Sequence, residues 1–291
     1  MNVKPLDPDY IIIGAQKAGT TTLAGMLSQA SNVVFPHAEI PWLESPYYES
    51  GGAQRIRYLC GRISGTVKRV GIKRPNYLPS QVVAERISLE FPNTRLIAVL
   101  RNPVTRAFSA TLHYMEYGHI PVMDPNLALQ RILDGDDLNA KRSYEILDWG
   151  LYSQQLVKYR QLPNVQITVM DQRQLFSNPA TAISNIPGLE TGDLTKVSMP
   201  IRNAGADGMR NLKMRNLMHR SLTAKDSRTG DLLPRTSNPF RLASAAAFKQ
   251  AALKLPQGQP LELEEDTRER LISFYMADDE KLLDTYGFSL L

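Results

Sequence analysis

Apolar positions along the chain alternate between short unbroken runs and longer stretches with helical spacing. Residues 10–13 form a run of buried-strand length, and a helical stretch from Thr20 to Ala30 follows across a glycine-bounded turn. "NVVF" (32–35) and "VGIK" (70–73) predict two further short strands. "PSQVVAERISLEFP" has the apolar spacing of a helix ended by Pro92. "TRLIAVL" (94–100) reads as another strand, leading into a helix from Pro103 to about Tyr117, with proline where its missing N–H is harmless. "GLYSQQLVKYRQL" is amphipathic, "VQITVM" (165–170) predicts one more strand, and 264–286 predicts a helix or pair of helices burying Leu271, Phe274, Tyr275, Leu282 and Leu283. "RTSNPFR" and "PQGQP" read as surface loops.

Strands alternating with helices predict an α/β fold: a central parallel sheet flanked by helices, with a P-loop-like nucleotide-binding core. No internal repeat and no long linker divides the chain, so a single domain over residues 1–291 is expected. The apolar fraction of 43% excludes a disordered chain. No apolar run approaches the roughly 20 residues that cross a bilayer, and "MNVKPLDPDY" lacks the features of a signal peptide, so no membrane is expected. Cys60 is the only cysteine, which excludes an internal disulfide and suits a reducing compartment; a cytoplasmic protein is expected.

The net charge of +5 is unevenly spread. Residues 202–228 carry Arg202, Arg210, Lys213, Arg215, Arg220, Lys225 and Arg228 against Asp207 and Asp226. Such a stretch is a solvated face or an anion-binding lid. No nucleic-acid recognition motif accompanies it, so nucleic acid is not the expected partner.

The turn after the first strand carries candidate chemistry. In "IIIGAQKAGTTTL", Gly14 and Gly19 frame a loop that opens a threonine-rich helix. Backbone N–H groups and the helix dipole make such a turn an anion site, with Gln16, Lys17, Ala18, Gly19, Thr20, Thr21 and Thr22 as candidate ligand contacts. The common nucleotide-binding loop puts lysine directly after the second glycine; here that position is Thr20, and the lysine lies back at Lys17. From there its ammonium would meet the distal end of the ligand, where a leaving-group oxygen gains charge. A plain glycine turn with a threonine cap is the bland alternative. A magnesium-dependent NTPase is another, with Asp171 after "ITVM" in the metal-holding place. A non-catalytic polyanion-binding module is a third.

A second anion site, separate from the first, is predicted where "LIAVL" runs into "RNPVTRAFSATLHYMEYG". Arg101 falls at the carboxyl end of the strand and Ser109 two turns into the helix; guanidinium fork and hydroxyl together suit a phosphate. The structural alternative pairs Arg101 with a carboxylate. Two phosphate sites on neighbouring strand edges suit a nucleotide phosphorylated on both its 5′ and 3′ sides.

At these residues the chain resembles the sulfotransferases that use 3′-phosphoadenosine 5′-phosphosulfate (PAPS). "GAQKAGTTTL" is similar to their 5′-phosphosulfate loop and "RNPVTRAFS" to their 3′-phosphate motif R-x-P-x-x-R-x-x-S. The likeness is closest to the branch with the heparan sulfate and many bacterial enzymes. "EIPWLESPYYESG" resembles that branch's E-[IV]-x-F-F-D stretch, "KRPNYL" its K-[ST]-P-x-Y-[LF], "GLYSQQLVKY" its G-x-Y-x-x-x-L helix and "FYMADDEKLLDTYGFSL" its closing helix.

The resemblance implies PAPS as donor, 3′,5′-ADP as product and no metal. It implies Glu39 as catalytic base, with burial beside Trp42 and Leu43 expected to strengthen it, and His37 as the rival base. It implies Lys17 at the bridging oxygen, Lys73 near the sulfuryl oxygens, Gly19 and Thr20–Thr22 on the 5′-phosphate, and Arg101 with Ser109 on the 3′-phosphate. Arg106, the second arginine of the 3′-phosphate motif, is a further phosphate contact or a helix-surface charge, and His113 and His119 read as structural or surface residues. The family's late basic glycine loop, K-G-R or R-K-G, is absent; Arg202 or Arg210 in "IRNAGADGMRNLKMR" is the expected substitute. The family's Golgi-type cysteine pair and membrane anchor are also missing, which implies a soluble bacterial-type enzyme. Trp42, Tyr47, Tyr48, Tyr77 and Tyr114 are candidates to line a pocket for a small-molecule acceptor such as a natural product; the basic stretch Arg55–Arg74 would greet an acidic glycan or face water.

Overall fold

The computed structural model describes residues 4–30, 33–65, 69–189, 209–225, 232–234 and 260–291. Arg202, Arg228, the "RTSNPFR" segment and residues 256–259 of "PQGQP" lie outside them. The elements follow in order as β1 (Tyr10–Gly14), α1 (Thr20–Ala30), β2 (Val33–Val34), α2 (Gly52–Ser64), β3 (Arg69–Lys73), α3 (Gln81–Glu90), β4 (Arg95–Leu100) and α4 (Pro103–Glu116). Next come α5 (Pro125–Leu133), α6 (Glu145–Asp148), α7 (Tyr152–Arg160), β5 (Gln166–Asp171), α8 (Gln172–Ser177) and α9 (Pro179–Ser184). The last are α10 (Met209–Leu222), β6 (Thr223–Lys225), β7 (Leu232–Pro234) and α11 (Glu265–Tyr286). No helix among the described residues is long and apolar enough to cross a membrane.

The chain divides into two compact units, the first holding Met1–Asn102, Leu151–Arg202 and Asp278–Leu290. Its five strands are all parallel, in the order β2-β3-β1-β4-β5. Every residue of β1 is buried, as are Leu96–Leu100 of β4. Strands covered on both faces carry continuous apolar runs, which is why these two were so plain in the sequence. The edge strand β5 is only half-buried over most of its length, and the opposite edge, β2, is two residues long.

Strand β1 has β3 on one side and β4 on the other, so the chain reverses its winding direction here, where parallel sheets place their ligand crevice. Register brings Ile12 opposite Lys73, the last residue of β3, and Gly14 opposite Ala98 after an irregularity in pairing. Gly14 has no room for a side chain: a Cβ would stand 2.6 Å from that of Leu78. Tyr77 is fully buried, donates its hydroxyl to the Ile40 carbonyl and accepts from the Leu43 N–H at 3.3 Å; Tyr159 in turn donates to the Tyr77 carbonyl at 2.6 Å. These bonds fix the segment that follows β2 against the sheet.

Cys60, on α2, is buried in the first unit's core, and burial pushes its thiol from 9.0 up to about 12. Between those values the unfolded chain loses the proton and the folded one keeps it, so stability should fall as pH rises above 9. In Cys60→Ala the decline of melting temperature between pH 9 and 11 is expected to be shallower than in the wild type, read by thermal melts across that range.

The second unit spans Pro103–Gly150, Asn203–Ala277 and Leu291. Arg106 is no helix-surface charge: it is completely buried in α4, where it donates to the Ile146 carbonyl. Its place on the stripe with Pro103, Ala107 and Ala110 explains why. Tyr114 is likewise core, with its hydroxyl on Glu145, which also pairs with Arg142 at 2.7 Å. In the basic stretch, Arg215 of α10 turns inward to Glu116 at 3.0 Å, whereas Lys213 and Arg220 are exposed. The short antiparallel pair β6–β7 was not predicted. Along α11, one continuous helix, Leu271, Tyr275 and Leu282 are buried, but Phe274 (39% exposed) and Leu283 (46%) flank that stripe and face out, contrary to expectation.

Candidate active site

The loop after β1 is shaped by two left-handed residues, Lys17 (φ 67°) and Gly19 (φ 88°). Turns of this type converge successive backbone N–H groups on one point. Glycine is required at 19 twice over, by its φ and because a Cβ would come within 2.7 Å of the Phe176 ring. Helix α1 then begins at Thr20 with no acidic residue in its first turn, so its dipole and the first N–H groups, which have no partner within a helix, suit an anion. Thr20 and Thr22 are buried, Thr21 and Lys17 half-buried, and Ala18 is core. The side-chain oxygen of Gln16 is a buried polar atom with no hydrogen-bond partner among the described residues.

Arg101, one residue past β4, donates to the Lys17 carbonyl at 3.0 Å, and Tyr152 donates to the Arg101 carbonyl at 2.9 Å. The guanidinium is therefore tied to the first loop itself. The Lys17 side chain, a helix N-terminus and a clearance that only glycine permits form a donor set that fits the phosphosulfate end of a nucleotide.

A carboxylate cluster stands at the next strand end. The Ile40 N–H donates to the Lys73 carbonyl at 3.1 Å, which lays residues 39–44 along the end of β3. Lys73, 4% exposed, reaches Glu39 Oε1 at 2.9 Å. Arg74 donates from one terminal nitrogen to Glu39 Oε2 at 3.0 Å and from Nε to Glu44 Oε1 at 2.8 Å. The Glu39 side chain is 36% exposed, so the expected apolar burial is corrected: its partners are two cations, while Leu43 is buried in the core and Trp42 packs against it. His37 is exposed. Arg74 and Glu44 were missed as site residues; the adjacent cations of "KRP" and the carboxylates five apart in "EIPWLE" were the available signal.

Ser109 lies half-buried on α4, in the second unit, and Arg202 is outside the described residues. Asp171 caps α8 by accepting from the Arg173 N–H at 2.8 Å and pairs with Arg173 Nε at 2.9 Å, so its carboxylate is committed to structure. Tyr77, Tyr48 and Tyr114 are buried and do not line an open pocket; Tyr47 is exposed and Trp42 half-buried. In the second unit the His113 ring lies 4.5 Å from that of Tyr117 and His119 5.2 Å from that of Tyr114.

The family model described as "Sulfotransferase domain" matches residues 7–221, most of the chain and all of the loops above. The chain belongs to the sulfotransferase family. It is 28% identical over 190 residues to the human bifunctional heparan sulfate N-deacetylase/N-sulfotransferase 2, covering 62% of this chain and 21% of that protein. It is also 28% identical over 184 residues to the mouse heparan sulfate glucosamine 3-O-sulfotransferase 3B1, covering 62% and 45%. The chain thus spans a fifth to under half of the length of those relatives. A sulfotransferase structure from Alicyclobacillus acidocaldarius shares its fold, with TM-score 0.62, 19% identity and 98% of each chain covered. The parallel sheet flanked by helices and its P-loop-like core are those of the family.

Proposed function

We propose that this sulfotransferase, a single domain over residues 1–291, moves the sulfuryl group of PAPS to a hydroxyl or amine of a small-molecule acceptor, leaving 3′,5′-ADP. The observation that carries the proposal is the juxtaposition at the crevice strand ends: Lys73, in register with Ile12, holds Glu39 where β1 opens into the Lys17–Gly19 turn. When bound, PAPS supplies a sulfuryl group on a phosphate leaving group. Gly19 and Thr20–Thr22 hold the 5′-phosphate, with Gln16 and Ala18 completing the turn. Arg101, one residue past β4, takes the 3′-phosphate; Ser109 and Arg202 are assigned to it by their places in the sequence alone. Glu39 takes the proton of the acceptor as its oxygen or nitrogen bonds to sulfur. Lys17 balances the charge left on the phosphate oxygen as the old S–O bond breaks, and Lys73 orients Glu39 and faces the sulfuryl oxygens.

Half-buried Trp42 and exposed Tyr47, on the Glu39 segment, supply flat apolar surface for a small acceptor. An acidic glycan acceptor is the second reading, favoured by the relatives that are named for heparan sulfate. The single cysteine supports a cytoplasmic setting.

Thermal melts with 3′,5′-ADP and, separately, with ATP–magnesium test the donor assignment. The expected result is a raised melting temperature with 3′,5′-ADP that needs no metal. Stabilisation by ATP–magnesium alone would overturn it. Transfer of label from PAPS across a panel of phenols, amines and heparan fragments then separates the two acceptor classes.

A further inference from the structure

We propose that Arg74 is a positioning residue for Glu39, and that Glu44 sets how strongly its charge bears on that carboxylate. The inference rests on Glu39 as the base. Arg74 follows β3 directly, and its N–H donates to the Ile12 carbonyl at 3.0 Å, so its backbone is clamped to the sheet at the crevice edge. Its side chain is 19% exposed and spans two carboxylates: Glu39 Oε2 at 3.0 Å, and Glu44, which takes Nε at 2.8 Å and the second terminal nitrogen.

The division of contacts gives Arg74 a role that Lys73 cannot fill alone. Lys73 meets Glu39 Oε1 and Arg74 meets Oε2. With one contact a carboxylate still turns about its terminal torsion; with one on each oxygen its plane is fixed. A carboxylate has about four lone-pair sites, so two contacts leave room for an acceptor proton.

Two cations on one carboxylate also draw on its oxygen lone pairs, which works against a base. Glu44 offsets this. Its oxygen engages Nε and the far nitrogen of the guanidinium, drawing that charge between two anions. Among the described residues, the groups facing Glu39 are Lys73 from β3, Arg74 and Tyr77 from the turn after it, and Glu44 from its own segment. Burial pushes the Tyr77 phenol upward, so it stays neutral; the four remaining charges cancel.

The test uses the full chain with 13C-labelled glutamate carboxyls, the Glu39 resonance being identified by its loss in Glu39→Gln. Its titration midpoint is expected at higher pH in Arg74→Gln and at lower pH in Glu44→Gln than in the wild type. Turnover of PAPS, with 4-nitrophenol as acceptor and with water in its absence, is expected to drop about 10- to 100-fold in Arg74→Gln while KM for PAPS holds. Arg74→Lys should return the midpoint toward wild type but restore turnover only in part, because an ammonium has no fork to bridge both carboxylates.

Midpoints that stay put in both variants would overturn the proposal, as would a moved midpoint with unchanged turnover. Should Arg74→Gln fail to fold, Glu44→Gln carries the midpoint test and Arg74→Lys the turnover test. Undiminished turnover in Glu39→Gln would instead remove the base assignment beneath it, so the two failures are distinct.

Discussion

Replacing Lys17 with alanine is expected to lower kcat by about 10²–10³-fold while leaving the melting temperature close to wild type. The lysine sits at the turn that opens from β1, and in the proposed mechanism its ammonium faces a charge that appears only as the leaving oxygen departs. An interaction made only in the transition state is lost from kcat and not from KM for the donor. The fold should tolerate the change. The Arg101 guanidinium is held by the carbonyl of residue 17, which alanine retains. The left-handed backbone at φ 67° strains alanine much as it strains lysine, since both carry a Cβ. Steady-state kinetics with PAPS, paired with melts with and without 3′,5′-ADP, check both halves. An unchanged kcat would reduce the loop to a glycine turn that only binds anions. A collapsed melting temperature would make Lys17 a structural residue.

The sheet was legible because its central strands are buried on both faces. β1 and β4 wrote themselves as apolar runs, and the predicted strands lie within a residue or two of the observed ones. The glycine turn was legible for the same kind of reason: only glycine meets the backbone angle and clearance at position 19. Arg106 was misread because charge alone suggests solvent, yet its helix stripe with Pro103 and Ala110 is buried. Phe274 and Leu283 failed in the opposite sense, being apolar residues on the shoulder of a stripe, where hydrophobicity does not settle orientation.

The candidate site was legible as separate strings of residues but not as a network. Sequence spacing placed Glu39 and Lys73 in separate strings, and nothing along the chain says that residues 34 apart share a hydrogen bond. The pairing depends on the Ile40 N–H meeting the end of β3 and on Tyr77 reaching the Ile40 carbonyl, both consequences of tertiary packing. Arg74 and Glu44 were therefore invisible as partners, and Glu39 was expected against apolar surface where it meets two cations.

Glu39→Gln is expected to reduce transfer by about 10²–10⁴-fold, the usual range for a positioned general base. The amide keeps the shape of the carboxylate and its oxygen can still accept from Lys73 or Arg74, but it cannot take a proton from the acceptor. Two costs to stability pull in different directions of size. The Glu39 side chain is 36% exposed, so the lost ion pair is largely screened and worth little in itself. Lys73, 4% exposed, loses its counter-charge, which is the larger effect for a buried cation. A modest fall in melting temperature is therefore expected, with the stabilisation by 3′,5′-ADP unchanged, since the carboxylate is not part of the phosphate cradle. His37→Ala, at an exposed position, should leave turnover within about twofold of wild type. The pair of variants assigns the base: loss at 37 with activity kept at 39 would transfer the role to the histidine. Loss of the 3′,5′-ADP effect in Glu39→Gln would show that the residue shapes the nucleotide site and does not act on the acceptor.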